Sequence, residues 1–355
     1  MNKVGVITFH RTSNFGSCLQ AFGLCRKIAD LGHEYELIDY RCPAIESREE
    51  ITGPSSWNLR SIAKRFLYQP IIIKKYKKLM GFLERNTKIS PAYTPDTIHQ
   101  ANDFYDKIMV GSDIVWGLDI TKDDYNYFLD FVKAPVKKLA FASSVGEYDG
   151  LSDTQRVAAL LSDFDRIAVR EEKAVAWVRR LSGQESNWVC DPTMLLTAEQ
   201  WDAYLQPKTY KSDYVLVYFQ DNHGKSMKDA QRYAREHGLK VRYINYAVLP
   251  PKGVHSEKPS SLAEFVGLIR NAKFVFTASY HGMLFALYYH KDFVFYTRAH
   301  SDRVLSLAKR LGVEKNCADA MDIHEYAPAD YQQVEEKMQT FRAKSVEVLS
   351  EMLRL

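Results

Sequence analysis

The sequence predicts an α/β protein built from two Rossmann-like, doubly wound domains that face each other across a cleft. Three observations lead to this prediction. Short apolar strands alternate with helical patterns, the alternation occurs twice along the chain, and 355 residues are enough for two domains. Because ligands of such sheets bind at the carboxyl ends of the strands, we expect the site at the cleft.

The first half begins with a βαβ unit. A strand at residues 3–9, a helix at 18–32 and a second strand at 35–40 follow one another, and Gly32 stands where a helix C-cap is expected. Further apolar runs follow at residues 107–111, 137–146, 166–170 and 187–196. We assign residues 1–200 to the N-terminal domain, with a helical insertion at about 55–90.

The second half repeats this architecture. Strand-like runs alternate with helical patterns at residues 214–219, 240–246, 273–279 and 292–297. We assign residues 201–330 to a second Rossmann-like domain. Residues 331–355 have the spacing of an amphipathic helix, which we expect to pack back across the domain junction.

Composition excludes several classes of protein. The net charge of +4 is too small to indicate a nucleic-acid partner. Five scattered cysteines without a CxxC pair argue against disulfides and a Cys-rich zinc site, and no HExxH or GxSxG motif occurs. No run approaches the length of a membrane span or a signal peptide. We therefore expect a cytoplasmic protein without a metal or an organic cofactor.

The segment at residues 59–88 is strongly basic. It carries nine Lys and Arg residues against the single acid Glu84, with aliphatic and aromatic residues between them. One interpretation is an amphipathic helical pair at the anionic inner face of the membrane. The other is the solvated face of an ordinary helical insertion.

Polar residues follow the strands of the first half. After the first strand come His10, Asn14, Gly16 and Ser17, which suit an acceptor hydroxyl or an anion, although a plain capped turn explains Asn14 and Gly16 equally well. After the run at residues 107–111 comes Asp113, a candidate general base, with Ser112 beside it.

Trp116 and two serines extend this set. Trp116 either stacks on a sugar or packs in the core beneath an Asp-capped turn. Ser143 and Ser144 offer neutral hydrogen-bonding groups. Arg170 ends an apolar strand, where it either pairs with Glu171 or Glu172 or clamps a phosphate or carboxylate.

In the second half, "TASYHGML" joins a strand to a helix. Ser279, Tyr280, His281 and Gly282 stand at this junction, where a histidine is either a satisfied structural residue or a functional one. Arg298 and Arg303 follow the next strand and would add positive charge suited to a small anion.

Taken in order, "NFGSCLQA", "VGSDIVW", "AVREEKAV", "CDPTMLL" and "SYHG" resemble the polysaccharide pyruvyl transferase family over about residues 3–313. The resemblance implies a GT-B-like fold and phosphoenolpyruvate as donor. It implies transfer of pyruvate to two hydroxyls of a capsule, exopolysaccharide or cell-wall glycan, or of a lipid-linked precursor, as a ketal with release of phosphate.

The resemblance also implies roles for residues. His281 matches the candidate catalytic histidine, while Arg170 and Arg303 match arginines that hold the donor. Beside these we predict Asp113 as a catalytic group at the acceptor hydroxyls, and Ser279, Tyr280, Gly282 and Arg298 as donor-binding residues. Two other functions stay open: a nucleotide-sugar-dependent GT-B glycosyltransferase, and a non-catalytic glycan-binding protein.

Overall fold

The computed structural model describes residues 3–49, 68–146, 153–219, 224–246, 252–297 and 302–355. The chain divides into two compact units. The first comprises Met1–Ser55, Leu79–Leu196 and Thr340–Leu355, and the second comprises Ser56–Lys78 and Thr197–Gln339. The main change of unit thus falls after Leu196, whereas the sequence placed it after residue 200.

A parallel seven-stranded sheet forms the centre of the first unit. Its strands are β1 Lys3–Ile7, β2 Glu34–Tyr40, β3 Ile89–Tyr93, β4 Lys107–Val110, β5 Lys137–Ser143, β6 Arg166–Val169 and β7 Asn187–Trp188. The spatial order is β3-β2-β1-β4-β5-β6-β7. The first six positions follow the Rossmann order, which confirms the predicted doubly wound architecture.

The second unit contains a five-stranded parallel sheet. Its strands are β8 Tyr214–Tyr218, β9 Lys240–Ile244, β10 His255–Glu257, β11 Phe274–Thr277 and β12 Asp292–Phe295. The spatial order is β10-β9-β8-β11-β12. Counted from β8, this is again the Rossmann order, so the repeated architecture is also confirmed.

Helices cover the sheets. In chain order the α-helices of the described residues are α1 Phe15–Asp30, α2 Pro43–Arg48, α3 Gln69–Asn86, α4 Leu118–Thr121, α5 Thr154–Ser162, α6 Glu172–Ser182, α7 Ala198–Leu205, α8 Gly224–Glu236, α9 Leu262–Arg270, α10 Tyr280–Tyr288, α11 Asp302–Leu311 and α12 Tyr331–Arg354. None of them is both long and apolar enough to cross a membrane.

The structure contains two strands that the sequence did not predict, β3 and β10. Both lie at the edge of their sheet. Pro91 interrupts the β3 pattern, which an edge position tolerates because one side of an edge strand needs no hydrogen bonds. β10 has only three residues, too few for a periodic signal.

The C-terminal helix α12 supplies residues to both units. In the second unit, Glu335 pairs with His290 Nε2 at 3.0 Å. In the first unit, the Ser345 hydroxyl accepts a hydrogen bond from the Cys190 backbone N–H at 2.9 Å. Arg342 Nε donates to the Met194 carbonyl at 2.7 Å. The contacts of Ser345 and Arg342 tie the helix to the turn that follows β7.

The described part of the basic segment is the helix α3. Its apolar side chains Ile72, Leu79, Met80 and Leu83 are buried in the protein. Because that face is already covered, residues 68–88 fit the solvated-face interpretation better than an amphipathic helix that rests its apolar face on an anionic membrane surface. Residues 59–67 lie outside the described residues.

Candidate functional site

At the carboxyl end of the first sheet, Ser17 in the first turn of α1 and Asp113 in the loop after β4 come together. The Ser17 hydroxyl donates to Asp113 Oδ2 at 2.5 Å, and the Ile114 N–H donates to Asp113 Oδ1 at 2.9 Å. Asp113 has a left-handed backbone with φ of 77°, a strained conformation that its short polar side chain tolerates. As a whole residue, Asp113 is partly exposed.

Asn14 and Gly16 form the capped turn that begins α1. Asn14 is the N-cap, and its Oδ1 accepts the Gly16 N–H at 2.8 Å. This contact satisfies one of the N–H groups that a helix start leaves open. The alternative that the sequence offered, a capped turn, is therefore present.

His10 occupies a different environment from the one predicted. The sequence suggested contact with an acceptor, but the side chain is 1% exposed and packs beneath the loop. Its Nδ1 lies 3.0 Å from the Thr8 carbonyl and its Nε2 lies 3.4 Å from Asp39 Oδ1. The acceptor-binding prediction for His10 is wrong in this structure, because the ring is enclosed by protein.

The carboxylate of Asp39 is shared by His10 and Arg11. Arg11 donates through Nε to one oxygen and through Nη2 to the other, the second at 2.5 Å. Burial alone would raise the pKa of Asp39, but hydrogen bonds and positive charge from His10 and Arg11 outweigh it and hold the pKa well below its usual range. Asp39 therefore stays ionised and fixes the loop after β1.

Arg170, at the end of β6, is the centre of a buried ionic network. Its Nη1 lies 2.7 Å from Asp191 Oδ2 and its Nε lies 3.2 Å from Glu171 Oε1. Arg170 is 5% exposed, and both carboxylate residues are fully buried. Burial alone would lower the pKa of Arg170, but Glu171 and Asp191 raise it, so the guanidinium stays charged.

The serines predicted to bind the acceptor belong to the same region. Ser112 accepts from Arg170 Nη1 at 3.1 Å and donates to Asp191 Oδ2 at 3.3 Å. Ser144 donates to Glu171 Oε1 at 2.6 Å, and Ser143 donates to the Gly111 carbonyl at 3.1 Å. All three are fully buried, so their hydroxyls organise the loops and do not face an acceptor.

Two further predictions for the first unit, those for Trp116 and Arg170, also need correction. Trp116 is 0% exposed, stacks against Phe128 and Trp177, and donates its indole N–H to the Tyr127 carbonyl at 3.0 Å. It is a core residue and cannot stack on a sugar. For Arg170 the structure favours the alternative of an internal ion pair with Glu171 over an open clamp for the donor.

In the second unit, the junction of β11 and α10 is held by neutral groups. Ser279 is the N-cap of α10 and accepts the Gly282 N–H at 3.3 Å. The Thr277 hydroxyl donates to the Tyr218 carbonyl and accepts the Ser279 N–H, both at 3.0 Å. A Cβ on Gly282 would lie 2.5 Å from Thr277 Oγ1, so only glycine fits this close approach.

His281 stands in the first turn of α10 and is partly exposed. Its ring meets the edge of the buried Tyr280 ring, with centroids 5.2 Å apart. The first turn of a helix directs backbone N–H groups and a positive dipole end outward, which favours an anion beside His281. Arg303 lies in the first turn of α11, and Arg298 lies outside the described residues.

A family model described as polysaccharide pyruvyl transferase matches residues 14–300, which include Ser17, Asp113, Arg170 and His281. The chain belongs to the polysaccharide pyruvyl transferase family. No curated protein matches it at a significant level. The match of the family model confirms the resemblance drawn from the sequence motifs.

The chain is similar in fold to solved structures of low sequence identity. UDP-GlcNAc 2-epimerase from Methanocaldococcus jannaschii is 11% identical and gives a TM-score of 0.51 over 100% of this chain and 99% of that one. Arabidopsis thaliana UGT89C1, solved with UDP-L-rhamnose, is 10% identical with a TM-score of 0.49 over 99% of each chain. The first of these supports the GT-B-like fold predicted for the transferase.

Several residues that shape these sites were not predicted. Asp191, Asp39 and Thr277 follow or end strands, but each is an ordinary polar residue in sequence. Asp191 precedes Pro192 and caps a short helical turn, accepting the Thr193 N–H at 2.8 Å. Its position after β7 could have indicated that Asp191 lies near Arg170, since residues that follow parallel strands meet at the same edge of the sheet.

Proposed function

We propose that this transferase moves a pyruvyl group from phosphoenolpyruvate to two hydroxyls of one sugar in a polysaccharide or its lipid-linked precursor. The observation that most supports it is the start of α10, within the matched residues, where partly exposed His281 adjoins a helix N-terminus. Such a terminus suits the phosphate or carboxylate of the donor.

The overall reaction balances without a cofactor. Two C–O bonds form between the acceptor oxygens and the second carbon of the donor, and the C–O bond to phosphate breaks. A proton is added to the methylene carbon of the donor, which becomes a methyl group. One of the two acceptor hydroxyl protons balances this added proton. The other hydroxyl proton leaves with inorganic phosphate.

In this proposal His281 delivers the proton to the methylene carbon. Protonation develops positive charge on the neighbouring carbon, which an acceptor hydroxyl then attacks. The N–H groups of the first turn of α10 hold the donor anion, and the Ser279 cap and Gly282 fix that turn. Arg303 and Arg298 remain proposed donor-binding residues.

Asp113 is the proposed acceptor-side group. Asp113 is partly exposed, and its carboxylate is oriented by Ser17 and by the backbone of Ile114. A carboxylate held this way can accept the proton of an attacking hydroxyl. Arg170, enclosed with Glu171 and Asp191, is proposed to support the loops around Asp113 and not to bind the donor itself.

The test is incubation of the full-length protein with phosphoenolpyruvate and candidate glycans. Phosphate release that requires a glycan, together with a pyruvate ketal on that glycan by mass spectrometry, is the expected result. His281→Ala protein provides the matched control. Failure to bind phosphoenolpyruvate at millimolar concentration, or tight binding of UDP in its place, would overturn the proposal in favour of a nucleotide-sugar enzyme.

A further inference from the structure

A polar cavity opens in the first unit, and Asp113 is not among the residues that line it. Its volume is about 690 Å³, within the range of about 300–1,000 Å³ typical of ligand pockets. Cys42 and Pro95 line it, two residues beyond β2 and β3 respectively. The cavity therefore lies at the carboxyl ends of these strands, the edge at which doubly wound sheets bind ligands.

A buried tyrosine holds two residues that line the cavity, Asp124 and Asn126. The Tyr40 hydroxyl donates to Asp124 Oδ2 at 2.6 Å and accepts from Asn126 Nδ2 at 2.8 Å. Asn126 Nδ2 also donates to Asp124 Oδ1 at 2.8 Å. Tyr40 is 3% exposed, so the carboxylate and amide are held on a rigid support before any ligand binds.

The lining also contains an aromatic ring and a guanidinium that stack on each other. The Arg156 guanidinium carbon lies 3.8 Å from the centroid of the Tyr125 ring, and its Nη2 donates to Asp130 Oδ2 at 2.6 Å. The neighbouring backbone is unusual, since Lys122 and Asp123 both have left-handed φ angles, of 56° and 58°. Consecutive left-handed residues without glycine are costly and cluster at ligand sites.

The charge of the cavity distinguishes between the two proposed substrates. Its lining carries the carboxylates of Asp123, Asp124 and Asp130 against Lys122 and Arg156. Arg156 is already paired with Asp130, which leaves a local excess of negative charge. Phosphoenolpyruvate would be repelled here, whereas carboxylate, amide and guanidinium groups all hydrogen-bond sugar hydroxyls.

We propose that this cavity is a subsite for a neutral sugar unit of the acceptor glycan. The assignment of the glycan as an acceptor rests on the proposed function, but binding of a neutral sugar does not. Asp123 and Asn126 bind hydroxyls, and the Tyr125 ring supplies a flat apolar wall. The subsite would make the enzyme select a chain and not a single sugar.

The test uses short neutral oligosaccharides of glucose, galactose and mannose, with galacturonic acid oligomers as the acidic counterpart. Binding to the full-length protein is measured by calorimetry, for wild type, Tyr125→Leu and Asp123→Asn. Asp103→Asn and Phe104→Leu are the matched controls, because both residues are exposed in the same unit and neither lines the cavity. Circular dichroism verifies that every variant folds.

We expect at least one neutral oligosaccharide to bind at millimolar concentration or below, more tightly than any acidic one. Each cavity variant should weaken it by roughly fivefold to tenfold, and the controls should not. Absence of neutral binding, or equal affinity in the cavity variants, overturns the subsite. If sugar binding behaves as expected but phosphoenolpyruvate is never consumed, the proposed reaction is overturned and the proposed subsite is supported. If pyruvylation occurs while the cavity variants bind sugar as well as wild type, the proposed reaction is supported and the proposed subsite is overturned.

Discussion

Arg170 and His281 follow buried strands, β6 and β11, in sheets with the same strand order, yet their environments are opposite. Arg170 is 5% exposed and enclosed by two carboxylates, whereas His281 is partly exposed above a turn built from Ser and Thr. The groups around each side chain make the difference. Two carboxylates, one of them beyond β7, enclose Arg170, whereas His281 stands above a turn of small neutral residues and stays partly exposed.

The largest expected effect is on the buried network. In Arg170→Met the carboxylates of Glu171 and Asp191 lose their common counter-ion while they remain buried. Removing one partner of a buried ion pair costs about 3–5 kcal/mol of unfolding free energy. Urea denaturation followed by circular dichroism measures this loss.

Arg179→Met is the control for that variant. Arg179 pairs with Glu185 on the surface with 70% of its side chain exposed, so its loss should cost less than about 0.5 kcal/mol. If Arg170→Met keeps wild-type stability but loses phosphoenolpyruvate affinity, the Arg170 guanidinium binds the donor. Arg170 and His281 would then both be ligand-binding residues, and the difference in role inferred here would be wrong.

At His281, after β11, we expect a substitution to lower the reaction rate without lowering the stability of the fold. In His281→Ala the proposed proton donor is gone, and general acid–base catalysis typically contributes about a hundredfold or more. His281 is partly exposed, so the unfolding midpoint should change little. Phosphate release in the presence of an accepted glycan measures the rate. His255→Ala, an exposed histidine of the same unit, should keep full activity; equal rates for both variants would rule out the catalytic role.

The architecture was predictable because it depends on periodicity. Apolar strands alternating with helices predicted both sheets, while β3 and β10 escaped because one contains Pro91 and the other is three residues long. The candidate site was only partly predictable. The sequence shows that Ser17 and Asp113 follow strands, but their hydrogen bond depends on tertiary packing across 96 positions.

Burial is the property that the sequence conceals. Trp116 and His10 have residue types and positions that suit a sugar site, yet both are buried in the protein. Arg170 had an adjacent acid in the sequence, but its shortest ion-pair contact is to Asp191, which lies beyond β7. Which polar residues face a ligand depends on side chains packed over them from distant segments, and no local pattern encodes this.

Gly282→Ala tests whether the α10 turn needs its close approach to β11. The added Cβ would lie 2.5 Å from Thr277 Oγ1 and 3.0 Å from Tyr218 Cδ1. Relief of such a clash typically costs about 1–3 kcal/mol, and movement of the turn should also lower activity. Gly224→Ala is the matched control, because a Cβ there meets nothing within 4 Å. A Gly282→Ala protein as stable and active as Gly224→Ala would show that the turn tolerates displacement.

The smallest expected effect concerns Asp39, the counter-ion of the first loop. Its pKa lies below the ordinary value because His10 and Arg11 outweigh burial, so ionised Asp39 stabilises the fold above about pH 4 and this stabilisation is lost as the pH falls toward the folded-state pKa. In Asp39→Asn the unfolding free energy should be lower at neutral pH by roughly 1 kcal/mol, and the gap from wild type should narrow in acid. Thermal unfolding from neutral to acid pH measures both curves. A gap that stays constant in acid would mean that the loop is held by packing and not by charge.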